Sequence, residues 1–228
     1  MPLAVITGAS RGLGLALARA LAREGFALMI DARGAEDLRR AADELTAVTE
    51  VAAIAGDVAD PAHRAALIAS ASERIDVLVN NASVLGPSPQ PGLADYPLGE
   101  LRRVFDVNVF APLALAQLAL ARMADGDRII NITSDAAAEP YPAWGGYGSS
   151  KAALEQVSAI LAAEQPSLRI YTVDPGDMRT RMHQEAFPGE DISDRPPPEE
   201  SIPGLLELIL GELPSGRYQA REIGLVRR

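Results

Sequence analysis

Short apolar runs alternate with longer segments of helical periodicity along most of this chain, and no other feature constrains its fold as strongly. Leu3–Thr7, Phe26–Ile30 and Val77–Asn80 are runs of the short kind, and each is followed by a helical pattern. This alternation is typical of βαβ units. Strands that are apolar on both faces indicate a parallel sheet with helices on both sides. The sequence therefore predicts an α/β chain with a doubly wound, mostly parallel sheet of about seven strands, in three α/β/α layers.

The same pattern predicts where the elements lie. The strands are expected at Leu3–Thr7, Phe26–Ile30, Val51–Ala55, Val77–Asn80, Arg128–Thr133, Arg169–Val173 and Tyr218–Arg221. The helices are expected at Leu13–Glu24, Glu36–Thr46, Ala62–Arg74, Leu98–Ala124, Tyr147–Ala163 and Ile202–Gly211. Pro112 is expected to bend or divide the fourth helix, because proline has no backbone N–H to donate.

Residues 177–200 break this rhythm, with Pro188-Gly189, a run of prolines at 196–198 and a dense set of acidic residues. A stretch this long without a clear period is typical of a lid or a disordered loop. It follows the sixth predicted strand, at the edge of the sheet where open α/β folds bind ligands. We therefore favour a substrate lid at residues 177–203 over a linker, within one domain spanning residues 1–228.

Length, charge and composition disfavour several classes of protein. A chain of 228 residues, 48% of them hydrophobic, can bury a core as one domain. The net charge of −10 disfavours nucleic-acid binding, which needs a positive surface. We find no apolar run of membrane-spanning length and no signal-peptide pattern, so we expect a cytoplasmic protein that does not bind membranes. Cysteine is absent, and His63 and His183 lack partners at metal-ligand spacing. We therefore expect no metal site and place both histidines at the surface.

A glycine-rich turn, Thr7-Gly8-Ala9-Ser10-Arg11-Gly12-Leu13-Gly14, joins the first predicted strand to the first predicted helix. Glycines let the backbone turn tightly and approach a pyrophosphate, whose charge then meets the free N–H groups of a helix N-terminus. The spacing differs from the usual G-x-G-x-x-G fingerprint, and a tight turn can need glycine for structural reasons alone. The turn favours dinucleotide binding without establishing it.

Lys151 is the only lysine among the 21 basic residues, and it follows Tyr147 by four positions. On a helix this spacing places both side chains on one face. A nearby ammonium favours the phenolate, so it lowers the pKa of a phenol toward neutral pH. The pair therefore indicates acid–base chemistry, although an ordinary amphipathic helix would also show this spacing.

Together these two stretches resemble the short-chain dehydrogenase/reductase family, in the single-domain branch marked by T-G-x-x-x-G-x-G and Y-x-x-x-K. The resemblance runs from residue 3 to residue 180 and implies a Rossmann-like fold. Further matches, in the expected order, are Asp57-Val58, Asn80-Asn81-Ala82-Ser83, Asn108, Ser134 and Pro175-Gly176 with Thr180.

The resemblance implies four catalytic residues. Tyr147 would be the general acid in reduction and the general base in oxidation, while Lys151 would lower its pKa and hold the nicotinamide ribose. Ser134 would donate to the substrate oxygen, and Asn108 would hold a water that links Lys151 to solvent. The residues implied to contact the cofactor are Gly8, Ser10, Arg11, Gly12, Leu13, Gly14, Arg33, Asp57, Val58, Asn81, Ala82, Ser83, Tyr147, Lys151, Pro175, Gly176, Met178 and Thr180.

The choice of cofactor depends on the end of the second strand, Ile30-Asp31-Ala32-Arg33. By resemblance, the acid of NAD-type members would fall on Ala32, and the arginine of NADP-type members falls on Arg33. Arg11 is a second cation that could help to clamp a 2′-phosphate. We therefore favour NADP(H). NAD(H) stays open, because Asp31 could hold the ribose hydroxyls if the register shifted by one residue.

Some positions depart from the family pattern. Ser83 stands where glycine is usual, and Asp135 and Asp177 lie beside the expected catalytic residues. If both carboxylates face the pocket, they favour a polar or cationic substrate; otherwise they are solvated loop acids. The candidate residues for the substrate wall are Tyr141, Trp144 and Phe187.

The sequence thus predicts an NADP(H)-dependent oxidoreductase that transfers a hydride between nicotinamide and a small carbonyl or secondary alcohol. The resemblance implies a homodimer or homotetramer built on the long helix and the Tyr147 helix. The alternative is a non-catalytic NADP-binding sensor of the same fold, which is disfavoured because the four catalytic residues are all present. A sugar-nucleotide epimerase or dehydratase is disfavoured because little chain follows Thr180 to build its substrate domain.

Overall fold

Residues 1–71 and 74–223, which the computed structural model describes, form a parallel sheet of seven strands. The strands are β1 (Leu3–Ile6), β2 (Ala27–Ala32), β3 (Val51–Ala55), β4 (Val77–Asn80), β5 (Arg128–Ile132), β6 (Arg169–Asp174) and β7 (Gly216–Gln219). Their order across the sheet is β3-β2-β1-β4-β5-β6-β7, and each neighbouring pair is parallel. The predicted doubly wound sheet is confirmed.

Two strand boundaries differ from the prediction in ways that matter for the cleft. β2 continues past Ile30, because Asp31 and Ala32 still pair with Ile54 and Ala55 of β3. β7 begins at Gly216 and ends at Gln219 instead of spanning Tyr218–Arg221.

The helices cover both faces of the sheet. They are α1 (Gly12–Arg23), α2 (Ala35–Thr46), α3 (Pro61–Ser70), α4 (Leu98–Phe105), α5 (Ala111–Leu120), α6 (Gly145–Glu164), α7 (Arg181–Ala186) and α8 (Ile202–Leu210). Alternate residues of β1 show the layering: Ala4 and Ile6 pack with α1, α2 and α8, while Leu3 and Val5 pack with α3 and α5. This alternation follows from the two-residue period of a strand.

α3 differs from its predicted bounds at both ends. It begins at Pro61 because the carboxylate of Asp60 accepts from the N–H of Ala62 at 2.9 Å, which is a favoured helix cap. It ends at Ser70, because Ala71 is extended. Residues 72 and 73, which the prediction included, lie outside the described residues.

The predicted helix over Leu98–Ala124 is divided into α4, a π-helical turn at Asp106–Phe110, and α5. Pro112 accounts for the division. In an α-helix the N–H of residue 112 would bond to the carbonyl of Asn108, and proline has no N–H to give. The wider turn therefore falls on the residues just before Pro112, and it contains Asn108.

The segment Leu98–Leu120 is long and apolar enough to cross a membrane by length and composition, with a mean hydropathy of 1.3. The expectation that no run is long enough was therefore wrong. Half of this segment is buried inside the protein, and Leu115 and Ala116 belong to the core beneath the sheet.

Candidate active site

A cleft of about 1080 Å³ opens along the carboxyl ends of the strands. We call the end lined by Gly8, Arg11, Arg33 and Asp57 the glycine end, and the end lined by Ser134, Tyr147, Lys151 and Met182 the tyrosine end. All the residues predicted for catalysis and cofactor binding line the cleft except Gly14 and Asn108, which lie behind its wall.

The glycine-rich turn leaves the N-terminus of α1 open to the cleft. Gly8 and Gly12 have φ angles of +66° and +56°, which residues with a side chain rarely adopt. Arg11 is at the N-cap position without a side-chain cap, and the first turn of α1 holds no acidic residue. The free N–H groups and the helix dipole suit an anion. The turn therefore fits the pyrophosphate of a dinucleotide.

Asn81 fastens this turn to the end of β4. Its side-chain amide donates to the carbonyl of Thr7 at 2.8 Å and to that of Gly8 at 3.1 Å. A Cβ atom on Gly14 would come within 2.5 Å of Asn81 Nδ2. Gly14 therefore serves the packing of the turn, which explains why it does not line the cleft.

α6 presents Tyr147 and Lys151 to the cleft from one face. Tyr147 is 7% exposed and Lys151 is 2% exposed. Lys151 Nζ lies 5.4 Å from the centroid of the Tyr147 ring and donates to the carbonyl of Ile132 at 2.8 Å. The structure thus brings the pair and the glycine-rich turn into one cleft.

The pKa values of this pair differ from the sequence expectation. Burial, followed by the carboxylate of Asp174, raises the pKa of Tyr147 above its ordinary value, although the nearby hydroxyls of Ser83 and Ser134 oppose the rise. Burial also lowers the pKa of Lys151 to about 7. The expected lowering of the Tyr147 pKa is therefore not found, because burial disfavours the charged forms of both groups.

Asn108 lies behind Ser83 in the π-helical turn and is fully buried. Its Oδ1 accepts from the Ser83 hydroxyl at 3.0 Å and from the N–H of Val84 at 2.9 Å. Its Nδ2 donates to the Val84 carbonyl at 2.9 Å and to Ser150 Oγ at 3.0 Å. The hydroxyl that Asn108 holds, that of Ser83, is one of the groups that oppose the rise in the pKa of Tyr147. The water relay through Asn108 stays a prediction.

Asp135 accepts a hydrogen bond from Ser134, whose hydroxyl is predicted to contact the substrate. Ser134 Oγ donates to Asp135 Oδ1 at 2.8 Å, and Tyr141 donates to Oδ2 at 3.1 Å. Asp177 is 61% exposed and lies 3.8 Å from His183 and Arg195. Both aspartates line the cleft, and each already has polar partners within the protein, so their role toward a polar or cationic substrate stays a prediction.

α7, within the segment predicted to form a lid, lies over the tyrosine end. The apolar residues that close this end around Tyr147 are Leu85, Ala136, Trp144, Met182 and Ala186. The Trp144 ring lies 5.9 Å from that of Tyr147 and 5.8 Å from that of Phe187. The expectation of a surface position for His183 is wrong: its side chain is 10% exposed and its ring lies 4.9 Å from that of Phe187.

At the glycine end, Arg11 and Arg33 face the cleft as predicted. Arg11 Nη1 lies 3.8 Å from Asp37 Oδ2, and both side chains are largely exposed. Among the described residues, no ion pair engages Arg33. Its guanidinium is therefore the better placed of the two for an anionic ligand.

Asp31 does not face the cleft as a free carboxylate. It is 1% exposed, its Oδ1 accepts from the N–H of Gly8 at 2.8 Å, and its Oδ2 lies 2.9 Å from His63 Nε2. The arrangement gives no support to Asp31 as a ligand of ribose hydroxyls. The expectation of a surface position for His63 is also wrong, because its imidazole packs under the sheet edge and partners a buried carboxylate.

Sequence reasoning missed a group of charged residues behind the tyrosine end. Glu155 Oε1 accepts from Thr133 Oγ1 at 2.7 Å and from Arg217 Nε at 2.9 Å. Arg217 also lies 3.6 Å from Asp174. Glu155 follows Lys151 by four positions, which is a signal that could have found it, whereas no local pattern points to Arg217 on the distant strand β7.

Comparison with known proteins agrees with this geometry. The sequence model of the short chain dehydrogenase family matches residues 2–191. The 1-deoxy-11-beta-hydroxypentalenate dehydrogenase of Streptomyces arenae is 35% identical over 192 residues, which cover 78% of this chain and 68% of that protein.

Solved structures of similar proteins also share this fold. A short chain dehydrogenase from Pseudomonas syringae superposes with a TM-score of 0.90 at 28% identity, covering 96% of this chain and 94% of that chain. Another from Shigella flexneri 2a, solved as a complex with NADP, has a TM-score of 0.87 at 26% identity and covers 96% and 97% of the two chains. From its sequence match, its fold and its cleft, this chain belongs to the short-chain dehydrogenase/reductase family of oxidoreductases.

Proposed function

We propose that this protein is an NADP(H)-dependent oxidoreductase that interconverts a small carbonyl compound and the corresponding secondary alcohol. The observation that carries the proposal is the meeting of an uncapped glycine-rich turn and a buried Tyr147–Lys151 pair in one cleft. The turn suits a pyrophosphate, and the pair holds a proton at the other end. When bound, the nicotinamide supplies or accepts the hydride.

Tyr147 acts as the general acid in reduction. Its raised pKa keeps the hydroxyl protonated at neutral pH, so it can donate to the substrate oxygen. Ser134 orients that oxygen after exchanging its hydrogen bond with Asp135 for one with the substrate. Lys151 holds the nicotinamide ribose, and Asn108, which accepts from the Ser83 hydroxyl, holds a water that links Lys151 to solvent.

The glycine end holds the adenosine part of the cofactor. Asp57 and Val58 line the cleft beside the end of β2 and contact the adenine, while Arg33, helped by Arg11, binds the 2′-phosphate. The burial of Asp31 supports NADP(H) over NAD(H), because no free carboxylate there is available to ribose hydroxyls. Structural relatives from Shigella flexneri and Escherichia coli CFT073 were solved with NADP and NADPH, which supports the same choice.

Residues 177–203 serve as the substrate lid of a single domain that spans the chain. The lid helix α7 contributes Met182 and Ala186 to an apolar wall with Leu85 and Trp144. This wall supports a substrate whose carbonyl carries an apolar or aromatic substituent.

Exposed apolar side chains lie on the helices proposed for assembly. Leu98, Phe110 and Leu118 on the segment from α4 to α5, and Ile160 on α6, are exposed apolar residues. Such residues support a homodimer or homotetramer that covers these helices. We place the protein in the cytoplasm, with no nucleic acid or membrane as a partner.

A panel of aliphatic and aromatic carbonyl compounds, assayed by the loss of NADPH absorbance, tests the proposal. The Tyr147→Phe variant is the matched control, since it keeps the ring and removes the proton donor. We expect turnover of several aromatic members by the natural protein, and nearly none by the variant, with unchanged NADPH binding by calorimetry. Tight NADPH binding without turnover of any compound would instead indicate the non-catalytic sensor.

A further inference from the structure

A buried pair of ionisable side chains lies beneath the glycine end of the cleft. Asp31, near the end of β2, is 1% exposed, and His63, on α3, is 8% exposed. Asp31 Oδ2 and His63 Nε2 are 2.9 Å apart. The reaction proposed above uses neither residue.

The pair touches both turns that shape this end of the cleft. Asp31 Oδ1 accepts from the backbone N–H of Gly8 at 2.8 Å, at the start of the glycine-rich turn. The imidazole of His63 lies directly against Gly56, where a Cβ atom would be 2.1 Å from Nδ1. Gly56 immediately precedes Asp57 in the turn after β3. The pair therefore ties the turn after β1 to the turn after β3 through the end of β2.

The charge of the pair also matters at this place. Asp31 and Arg33 are two residues apart at the carboxyl end of β2, and both line the glycine end of the cleft. A phosphate held by Arg33 would therefore lie close to the carboxylate of Asp31. An uncompensated buried carboxylate at such a distance would repel that phosphate, because the interior screens charges poorly.

We propose that Asp31 and His63 are positioning residues that hold the two turns together. With His63 protonated, they give the floor of the glycine end no net charge, so that the cleft accepts NADP in preference to NAD. This inference rests on the cofactor assignment proposed above.

The surroundings of His63 favour the charged imidazolium. The hydrogen bond with Asp31 is the main cause that raises the pKa of His63; burial opposes it, and the carboxylates of Asp60 and Asp57 add to it. Arg64, the neighbouring cation on α3, donates to a backbone carbonyl instead. As pH rises through this raised pKa, the pair gains a net negative charge. The affinity for NADP must then fall more than the affinity for NAD.

The titration of His63 itself provides a test that does not depend on turnover. His63 and His183 are the only histidines in the sequence, so one variant, His183→Gln, assigns both imidazole signals in NMR spectra of the intact protein. We expect a midpoint for His63 above the ordinary value of about 6.5. Saturation with NADP should raise it further, and by more than saturation with NAD, because linkage makes the two effects reciprocal. Equal shifts with both cofactors, or an ordinary midpoint in the free protein, would overturn the inference.

The His63→Gln variant tests the same idea by calorimetry, since glutamine can keep a neutral donor toward Asp31. At pH 6 we expect the variant to bind NADP at least about fivefold more weakly than the natural protein, with a smaller change for NAD. Its NADP affinity should also vary less between pH 6 and pH 8.5. Asp43→Asn is the control, because it removes an exposed carboxylate that pairs with Arg39 on α2.

The outcomes separate this inference from the proposed function. If the natural protein binds neither cofactor, the proposed function fails. If it binds NADP tightly and His63→Gln binds it equally well, only the role of the pair fails. Should the variant not fold, the titration of His63 in the natural protein still decides.

Discussion

The ionisable side chains at the two ends of the cleft differ in their exposure to water. At the tyrosine end, Lys151 and Tyr147 are enclosed, and burial sets the direction of both pKa shifts. At the glycine end, the cations face water: Arg11 has a side chain that is 53% exposed. Exposed charges are screened by solvent and salt, so their effect depends on what lies beneath them. The comparison indicates that buried ionisable groups suit proton transfer. The proposed selectivity for NADP over NAD instead combines exposed arginines with the buried carboxylate of Asp31, whose charge is balanced by His63.

After the loss of the Tyr147 hydroxyl, the next largest effect is expected from Lys151→Arg, which keeps the positive charge at the enclosed end. The planar guanidinium cannot fit the space of an ammonium that donates to the Ile132 carbonyl. We expect the turnover number to fall roughly 10²–10³-fold, measured with NADPH and the best carbonyl substrate. Arg23→Lys on the exposed end of α1 is the matched control and should be neutral. Near-normal turnover of the variant would contradict the difference between the two ends, because a positive charge alone would then suffice for turnover at the tyrosine end.

At the open end, Arg33→Ala should have the next largest effect. Loss of a charge-assisted contact to the 2′-phosphate should weaken NADP binding about 10- to 100-fold, with NAD binding nearly unchanged. Arg11→Ala should cost less, because the guanidinium of Arg11 already lies beside Asp37. Calorimetry with both cofactors measures this. An equal loss of affinity for NAD and NADP would mean that Arg33 supports the fold of the cleft and does not bind the 2′-phosphate.

The enclosed phenol predicts an asymmetric dependence on pH. Because the pKa of Tyr147 is raised, its hydroxyl stays protonated in neutral solution, so reduction should continue until the pH climbs through that pKa. Oxidation needs the phenolate, and its rate should increase with pH by up to about tenfold per unit. Initial rates in both directions between pH 6 and pH 10 measure this. An oxidation rate that no longer rises with pH above pH 7 would show that bound cofactor lowers the pKa of Tyr147.

The sequence predicted the tyrosine end better than the glycine end, for a physical reason. Tyr147 and Lys151 share one helix, so their spacing alone places them together. Asp31 and His63 come from a strand and a helix, and no local pattern encodes their contact. For that reason Asp31 was read as a possible ribose ligand and His63 as a surface residue. The catalytic and cofactor-binding roles themselves remain predictions at both ends.

The layers of the fold were predictable for a similar reason, and the details that failed depend on distant contacts. Apolar periodicity identified the buried strands and the longer helices. α7 is only six residues long, which is too short to show a period, so no helix was predicted within the lid segment. The pKa of Tyr147 depends on α7, which encloses it, and on Asp174 at the end of β6. Such effects arise only after the chain is folded.

The smallest predicted effect is on stability, and it probes the buried pair without any cofactor. The pKa of His63 is raised in the folded protein. The stability that the pair contributes should therefore be fully present below the unfolded value of about 6.5 and lost as pH rises through the folded pKa. Urea unfolding at fixed protein concentration should show His63→Gln to be more destabilised at pH 6 than at pH 9. Lys151, whose lowered pKa makes stability rise between about pH 7 and 10.5, contributes equally to both proteins and cancels. A difference that does not change with pH would mean that the pKa of His63 is not raised in the folded protein, and that Asp31 lacks a charged partner at neutral pH.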